Sequence, residues 1–257
     1  MMRVLAIAGK DIRVYLTTWV SYVLFAIFML ITAFFFQRLV IEYQLQAIEF
    51  NQYARHMLDQ MNLTDWVIAP LFQNVVVFFV FMLPILTMRL IAEERRCRTL
   101  QLLLTSPVRP IDIVLGKYLA GVSMMGMMLG LTLVFPLLLE FFGTGVGEAS
   151  VLDWRSIAVT YLGMFMLGAG FVAVGLFSSS LTESQIIAVV IGFFISLMFL
   201  VIGSAARGQE QGWVGLIEYL SVTSHIEPFL RGIIRLQDVV YYLSFSFVGV
   251  FLSYRVI

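Results

Sequence analysis

The sequence predicts an all-α integral membrane protein with six transmembrane helices, and three observations carry that prediction. Hydrophobic residues make up 61% of the 257 positions and charged residues 12%, whereas soluble domains run near half apolar and about a quarter charged. The mean hydropathy is +0.96. The apolar residues gather into six runs, each long enough for the roughly 30 Å hydrocarbon core of a bilayer. The basic residues fall unevenly between those runs, which orients them.

The chain opens with a lead-in carrying Arg3, Lys10 and Arg13, ahead of the first run, Trp19–Ile41. That run starts late and ends in FFFQRL with no small-x-small site, so it is expected to stay as a transmembrane helix and not to leave as a signal peptide. In the next loop, Glu42–Trp66, the residues Phe50, Ala54, Met57, Leu58 and Met61 recur at helical spacing, which predicts a helix lying on the outer membrane surface. The second run is Val67–Met88, loosened near its end by Pro84. Then comes the one charged interruption, Arg89–Lys117, with six of the sixteen basic residues: Arg89, Arg95, Arg96, Arg98, Arg109 and Lys117.

The third run, Ile113–Phe142, would reach about 45 Å at the helical rise. It must therefore tilt, kink at Pro136 or project beyond the core. Gly126 and Gly130 form a GxxxG pair on it, and Gly168, Gly170 and Gly175 stud the fourth run, Ile157–Phe177; close helix packing and a glycine hinge both fit. In the short loop SSSLTESQ, Thr182 and Gln185 match a capping box that starts the fifth run, Ile186–Gly203. The segment Ser204–Asp238 is long and partly helical. It sets Ile226, Phe229, Leu230, Ile233 and Ile234 on one face and Arg231 and Arg235 on the other, as an amphipathic or re-entrant helix on the outer leaflet would. The sixth run is Val239–Arg255, and the whole chain reads as one transmembrane domain.

Six spans put both termini on one side. That side holds ten of the basic residues and the other holds six, which places the termini in the cytoplasm. The single cysteine, Cys97, then faces a reducing compartment.

Little in the chain suggests chemistry of its own. The pairs Gly9-Lys10 and Gly116-Lys117 lack the upstream glycine and following hydroxyl of a phosphate-binding loop. His56 and His225 both fall outside the spans with no cysteine partner, so no metal site is expected. Zero net charge argues against a nucleic-acid partner. Ser204 and His225 only weakly imitate the pair an intramembrane protease needs. Arg38, Lys117 and Glu140 lie near helix ends, where snorkelling accounts for them. Gln73 and Asn74 read as helix–helix hydrogen-bonding groups or as substrate contacts. With no acidic relay inside the spans, energy has to come from a partner.

The charged interruption is where a partner would act. Glu94 and Arg98 stand four apart, the favourable order for a helical ion pair, and Arg89 and Glu93 stand in the reverse order. Leu100, Leu103 and Leu104 add an apolar patch, Thr105-Ser106-Pro107 ends the helix, and Pro110 starts the next. Such a helix docks into a groove on another protein, or it lies at the interface and only orients the chain.

The sequence here resembles the ABC-2 class of ABC transporter permeases, most closely the gliding-motility-type permease family. The resemblance rests on PILTMRLIAEER, TLQLLLTSPV, DIVLGKYLAG, GLFSSSLTESQ and HIEPFLRGIIRLQD, and less specifically on the opening RVLAIAGKDIRVYLTTWVSY. It implies a six-span fold of the type V exporter kind and a subunit that works in pairs. Separate cytoplasmic ABC ATPase subunits, which carry the ATP and magnesium, would drive it. The chain itself would bind no cofactor and catalyse no reaction.

In that family Glu93–Leu104 would be the coupling helix, with Glu93, Glu94, Arg95, Arg98 and Leu102 at the ATPase contact and Thr182 and Glu183 as a second contact. Lys10–Thr18 would be the connecting helix along the inner leaflet, and Ser204–Asp238, with His225, Glu227, Arg231 and Arg235, would hold outer re-entrant helices that close the pathway. Relatives often pair with a second membrane subunit bearing a large periplasmic domain. Arg98 stands where the family favours glycine, which allows the helix to run on unbroken, and Gln101 where it favours glutamate. Three functions follow, in order. The first is export or extraction of a substrate driven by a partner ATPase. The second is relay of ATPase strokes to a periplasmic partner without transport. The third, remote, is intramembrane proteolysis.

Overall fold

Among the described residues every regular element is helical; the computed structural model describes residues 2–53, 62–99, 109–142, 152–206 and 219–257. The elements are α1 (Met2–Thr17), α2 (Trp19–Tyr53), a π-turn (Thr64–Ile68) that runs into α3 (Ala69–Thr87), α4 (Ala92–Arg96), α5 (Pro110–Leu131), α6 (Val134–Phe142), α7 (Trp154–Leu181), α8 (Gln185–Ala206), α9 (Val222–Leu230) and α10 (Leu236–Val256). Six segments among them are long and apolar enough to cross a membrane, and each contains one of the runs read from the sequence or most of it. The chain is therefore a multi-pass membrane protein.

The centre of the fold is α7. It packs against α3, α5, α8, α9 and α10, and its glycines are the reason the neighbours come close. Gly163 lies under the ring of Phe229, Gly168 under Met125 and Phe79, Gly170 under Phe245, and Gly175 against Thr87. A methyl group at any of the four would overlap those atoms. Lipid tails are as apolar as leucine, so helix association in a membrane depends on such close van der Waals contact. The fourth-span glycines thus serve packing and not a hinge, since α7 stays helical throughout. The GxxxG pair on α5 does not: Gly126 meets Phe165 at ordinary contact distance and Gly130 meets nothing.

The third run bends where its proline demands. Pro136 has no N–H, and its ring clashes with the carbonyl four residues back, at Thr132. The helix stops at Leu131 and restarts at Val134. The Thr132 hydroxyl donates to the Leu129 carbonyl at 2.6 Å and lies 3.0 Å from the Tyr161 hydroxyl, which pins the bend to α7.

Three expectations are corrected. The outer loop after the first span does not begin with a helix on the membrane surface. Instead α2 runs unbroken for 35 residues to Tyr53, and Phe50 packs edge-on against Trp66; Ala54, Met57, Leu58 and Met61 lie outside the described residues. The Thr182–Gln185 capping box is absent, because α8 begins at Gln185 and the Thr182 hydroxyl accepts from the Ser184 N–H at 3.1 Å in a local turn. The amphipathic outer helix is short. It ends at Leu230, where Gly232 takes φ +74°. The Gly232 N–H donates to Phe229 O and the Ile233 N–H to Pro228 O, at 3.0 and 2.9 Å, which is the Schellman pattern. Ile226, Phe229 and Leu230 are buried, while Ile233 and Ile234 lie past the turn and are exposed.

Replacing Gly232 by alanine should cost about 1–2 kcal/mol for the left-handed backbone alone, and the new methyl would also meet Ser156. Gly130→Ala meets open space and should cost nothing. Thermal unfolding in detergent should show a lowered midpoint for the first variant and an unchanged or raised one for the second.

Candidate functional site

The described parts of the charged interruption, 89–99 and 109–117, meet in a compact joint at the face that carries both chain ends. Its core is α4, whose first turn holds Glu93 and Glu94 and whose last turn holds Arg95 and Arg96. That order complements the helix dipole at both ends. The helix does not run on. It stops at Arg96, and Arg98 adopts φ +57°, the left-handed conformation that glycine adopts without strain. The expected Glu94–Arg98 ion pair is therefore not made; Glu94 turns inward.

Glu94 meets Lys117 there. The Lys117 ammonium lies 3.0 Å from Glu94 Oε1 and 3.3 Å from Asp11 Oδ2, with its side chain 3% exposed. Lys10 completes the cluster from the water side, 3.4 Å from Glu94 and 3.9 Å from Asp11. Lys117 was expected to snorkel; it is instead enclosed and paired on α5, and it joins α1, α4 and α5. Burial of a charge is tolerable only when partners of this kind surround it.

Further ties hold the joint. The Arg95 guanidinium donates to the Val256 carbonyl at 2.8 Å, linking α4 to the end of α10. The Tyr15 phenol donates to the Leu86 carbonyl at 2.8 Å, linking α1 to the end of α3. Burial pushes that phenol well above its usual range, so it stays protonated and a donor. The connecting-helix expectation is met in form: α1 is a helix, it packs along α5, and Ile7 sits directly over Gly116.

The residues read as an ATPase contact are thus divided. Glu93 and Arg98 are exposed, as are Arg96, Cys97 and Thr99, whereas Glu94 and Arg95 are partly covered and hold the joint. Leu102 lies outside the described residues. Thr182 is half-buried and Glu183 exposed in the α7–α8 loop, and α4 touches the ends of both those helices.

On the opposite face His225 is buried between α9 and α10. Its Nδ1 lies 2.6 Å from Asp238 Oδ1 and its Nε2 lies 3.0 Å from the Tyr219 carbonyl, with the Tyr241 ring stacked on it at 4.0 Å. A carbonyl only accepts, so Nε2 carries a hydrogen and a single further proton lies between Nδ1 and Oδ1. No ring nitrogen is left to act as base on a serine. Glu227 and Arg231 pair at 2.5 Å on the exposed side, and Arg235 is exposed at the start of α10. Beside them a groove of about 880 Å³ opens between α3, α8 and α9, lined by Asp65, Gln73, Val77, Leu200, Ile226 and Arg231. Gln73 faces this groove, while Asn74 donates to Pro70 O in its own helix at 3.0 Å. Neither bridges two helices among the described residues.

Among the described residues no group of three or more His, Cys, Asp or Glu side chains could hold a metal ion. A family model described as ABC-2 family transporter protein matches residues 5–257. The chain belongs to the ABC-2 family. A comparison with curated proteins finds no match. ABC-2 proteins are membrane subunits of ABC transporters that work with cytoplasmic ABC ATPases, so this ABC-2 chain is a permease subunit.

Asp11, Lys117, Lys10 and Tyr15 were not read as one site. Two signals pointed to them. Val4, Ala8, Asp11 and Tyr15 form one stripe along α1, with a carboxylate in an otherwise uncharged row, and Lys117 interrupts an apolar run. Each calls for a partner of opposite charge.

Lys117→Ala strands two covered carboxylates and should cost about 3–5 kcal/mol, whereas Lys10→Ala removes an exposed partner and should cost at most about 1 kcal/mol. Arg98→Gly should gain about 1 kcal/mol by relieving the left-handed residue. Melting midpoints of the three purified variants check all of these.

Proposed function

We propose that this chain is the permease subunit of a bacterial inner-membrane ABC transporter, with both termini in the cytoplasm, where ten of its sixteen basic residues then lie. Partner ATPases hydrolyse ATP and drive export or extraction of a substrate. The observation that carries this reading is the build of α4: an exposed row of Glu93, Arg96 and Arg98, backed by covered bonds into α5 and α10 and by the exposed Lys10 of α1. Such an element receives force on one side and delivers it on the other. The row, with Thr182 and Glu183 beside it, is the coupling contact. Glu94 and Arg95 anchor it. The groove beside Gln73 and Arg231 forms part of the path, completed by a second permease copy or a related membrane subunit.

A second reading has one observation of its own. Ile233 and Ile234 are exposed beside Glu227, Arg231 and Arg235, a mixed surface suited to a periplasmic domain of a partner subunit. In that reading the strokes are relayed and nothing passes through the groove.

Glu93→Lys should abolish co-purification of the ATPase and stimulation of its activity while leaving the melting point of the permease unchanged. Unchanged assembly and stimulation would remove the docking assignment. Val77→Trp, which fills the groove, should stop export with the ATPase still attached; the relay reading expects no effect from it.

A further inference from the structure

Three serines stand in a row at the end of α7, all buried. Ser178 donates to Gly175 O and Ser180 to Phe177 O, so both hydroxyls bond back to their own helix. Ser179 reaches across. Its hydroxyl donates to the Met88 carbonyl at 3.0 Å and accepts from the N–H groups of Ile91 and Ala92 at 3.1 and 3.0 Å.

Those three groups are the loose ends of two helices. Met88 follows the last residue of α3, and Ile91 and Ala92 open α4. Helix ends leave carbonyls and N–H groups without partners, and Ile91, which stands at the N-cap of α4, has no side chain that could serve. Ser179 therefore caps both helices at once, from a third. One turn earlier Gly175 lets Thr87 press against α7, which brings the end of α3 within reach.

The other end of α7 is tied in the same manner to α9. The Thr160 hydroxyl donates to the Phe229 carbonyl at 3.1 Å, the Phe229 ring covers Gly163, and Gly232 abuts Ser156. Between the two ties, from Thr160 to Ser179, α7 stays helical over about 29 Å at the helical rise.

We infer that Ser179 is a positioning residue that transmits displacement of α4 into α7, and that α7 carries it as a rod to α9 on the opposite face. This rests on the permease reading given above. The other bonds of α4 end on α1, α5 and α10 at the same face. Among the described residues, only the Ser179 bonds of α4 enter the helix that also grips α9, through the Thr160 hydroxyl.

Cys97, the only cysteine, is exposed just past α4, so one reporter site is native. A second is made by combining Cys97→Ser with Glu227→Cys on α9. Each form is spin-labelled, assembled with its ATPase in nanodiscs, and measured with and without a non-hydrolysable ATP analogue. In the parent protein both labels should respond to nucleotide. With Ser179→Ala the label at Cys97 should still respond and the label on α9 should not. Ser179→Thr, which keeps a hydroxyl, should restore the α9 response. Ser178→Ala and Ser180→Ala, which each lose one buried bond within α7, should leave both responses intact.

An α9 response that survives Ser179→Ala would overturn the inference while leaving the permease reading standing. So would equal losses in all three alanine variants, which would make the effect one of packing. Silence of the Cys97 label in the parent complex would overturn both. Should Ser179→Ala fail to assemble, the Ser179→Thr and Ser179→Cys forms decide: an α9 response that does not track hydroxyl retention sinks the assignment.

Discussion

A buried ammonium group organises the face that carries the chain ends. Lys117 sits within the apolar run of α5 with its side chain all but enclosed. Left alone there, the charge would cost several kcal/mol. It is held because Asp11 arrives on α1 and Glu94 on α4, each as a hydrogen-bonded carboxylate. The positions of the lead-in helix and of the charged interruption are thus fixed by one cation on a third helix. Lys10 brings the cluster to charge balance from the water side. The net contribution of such a group to stability is small, since desolvation offsets most of the attraction. What it sets is geometry: with Lys117 in place, α1 and α4 have one favourable arrangement.

The rest of the fold hangs on α7. Apolar burial does not drive helices together inside a bilayer as it does in water. Contact quality has to do so, and α7 supplies it with glycines set at its crossings with α3, α5, α9 and α10. The same helix accepts or donates hydrogen bonds near both ends, to the α3–α4 turn and to α9. By contrast α2, α8 and α10 each bury only 22% of their apolar window within the chain. The molecule is therefore stiff along one central axis and loosely dressed around it.

Much of this was legible in the amino acids. Span number, the break near Pro136, the lead-in helix and the role of the fourth-span glycines all follow from runs, proline chemistry and residue size, which are local properties. What was not legible depended on partners distant in sequence. Lys117 looks like a snorkelling residue until Asp11, 106 positions away, is brought beside it. Glu94 satisfies a helical pairing rule with Arg98, but the helix ends first, because the residue at the glycine position still takes the glycine conformation. Ile233 and Ile234 continue the apolar period of α9 on paper, and Gly232 ends the helix before they can use it. The periodicity rules assume that a helix persists; at Arg98 and at Gly232 a left-handed residue ended one.

One element stands apart in length. At the helical rise α2 measures about 52 Å, well beyond a hydrocarbon thickness of about 30 Å. A rod that exceeds its solvent slab leans, at a cost of fractions of a kcal/mol per Å of mismatch. How far α2 leans is then a property of the membrane as much as of the protein, and a thicker bilayer would stand it more upright. Thr18 separates α2 from α1, and its hydroxyl bonds back to Val14 in the helix behind it. A change in that lean would fall first on this one-residue joint, ahead of α1, which Asp11 ties to Lys117.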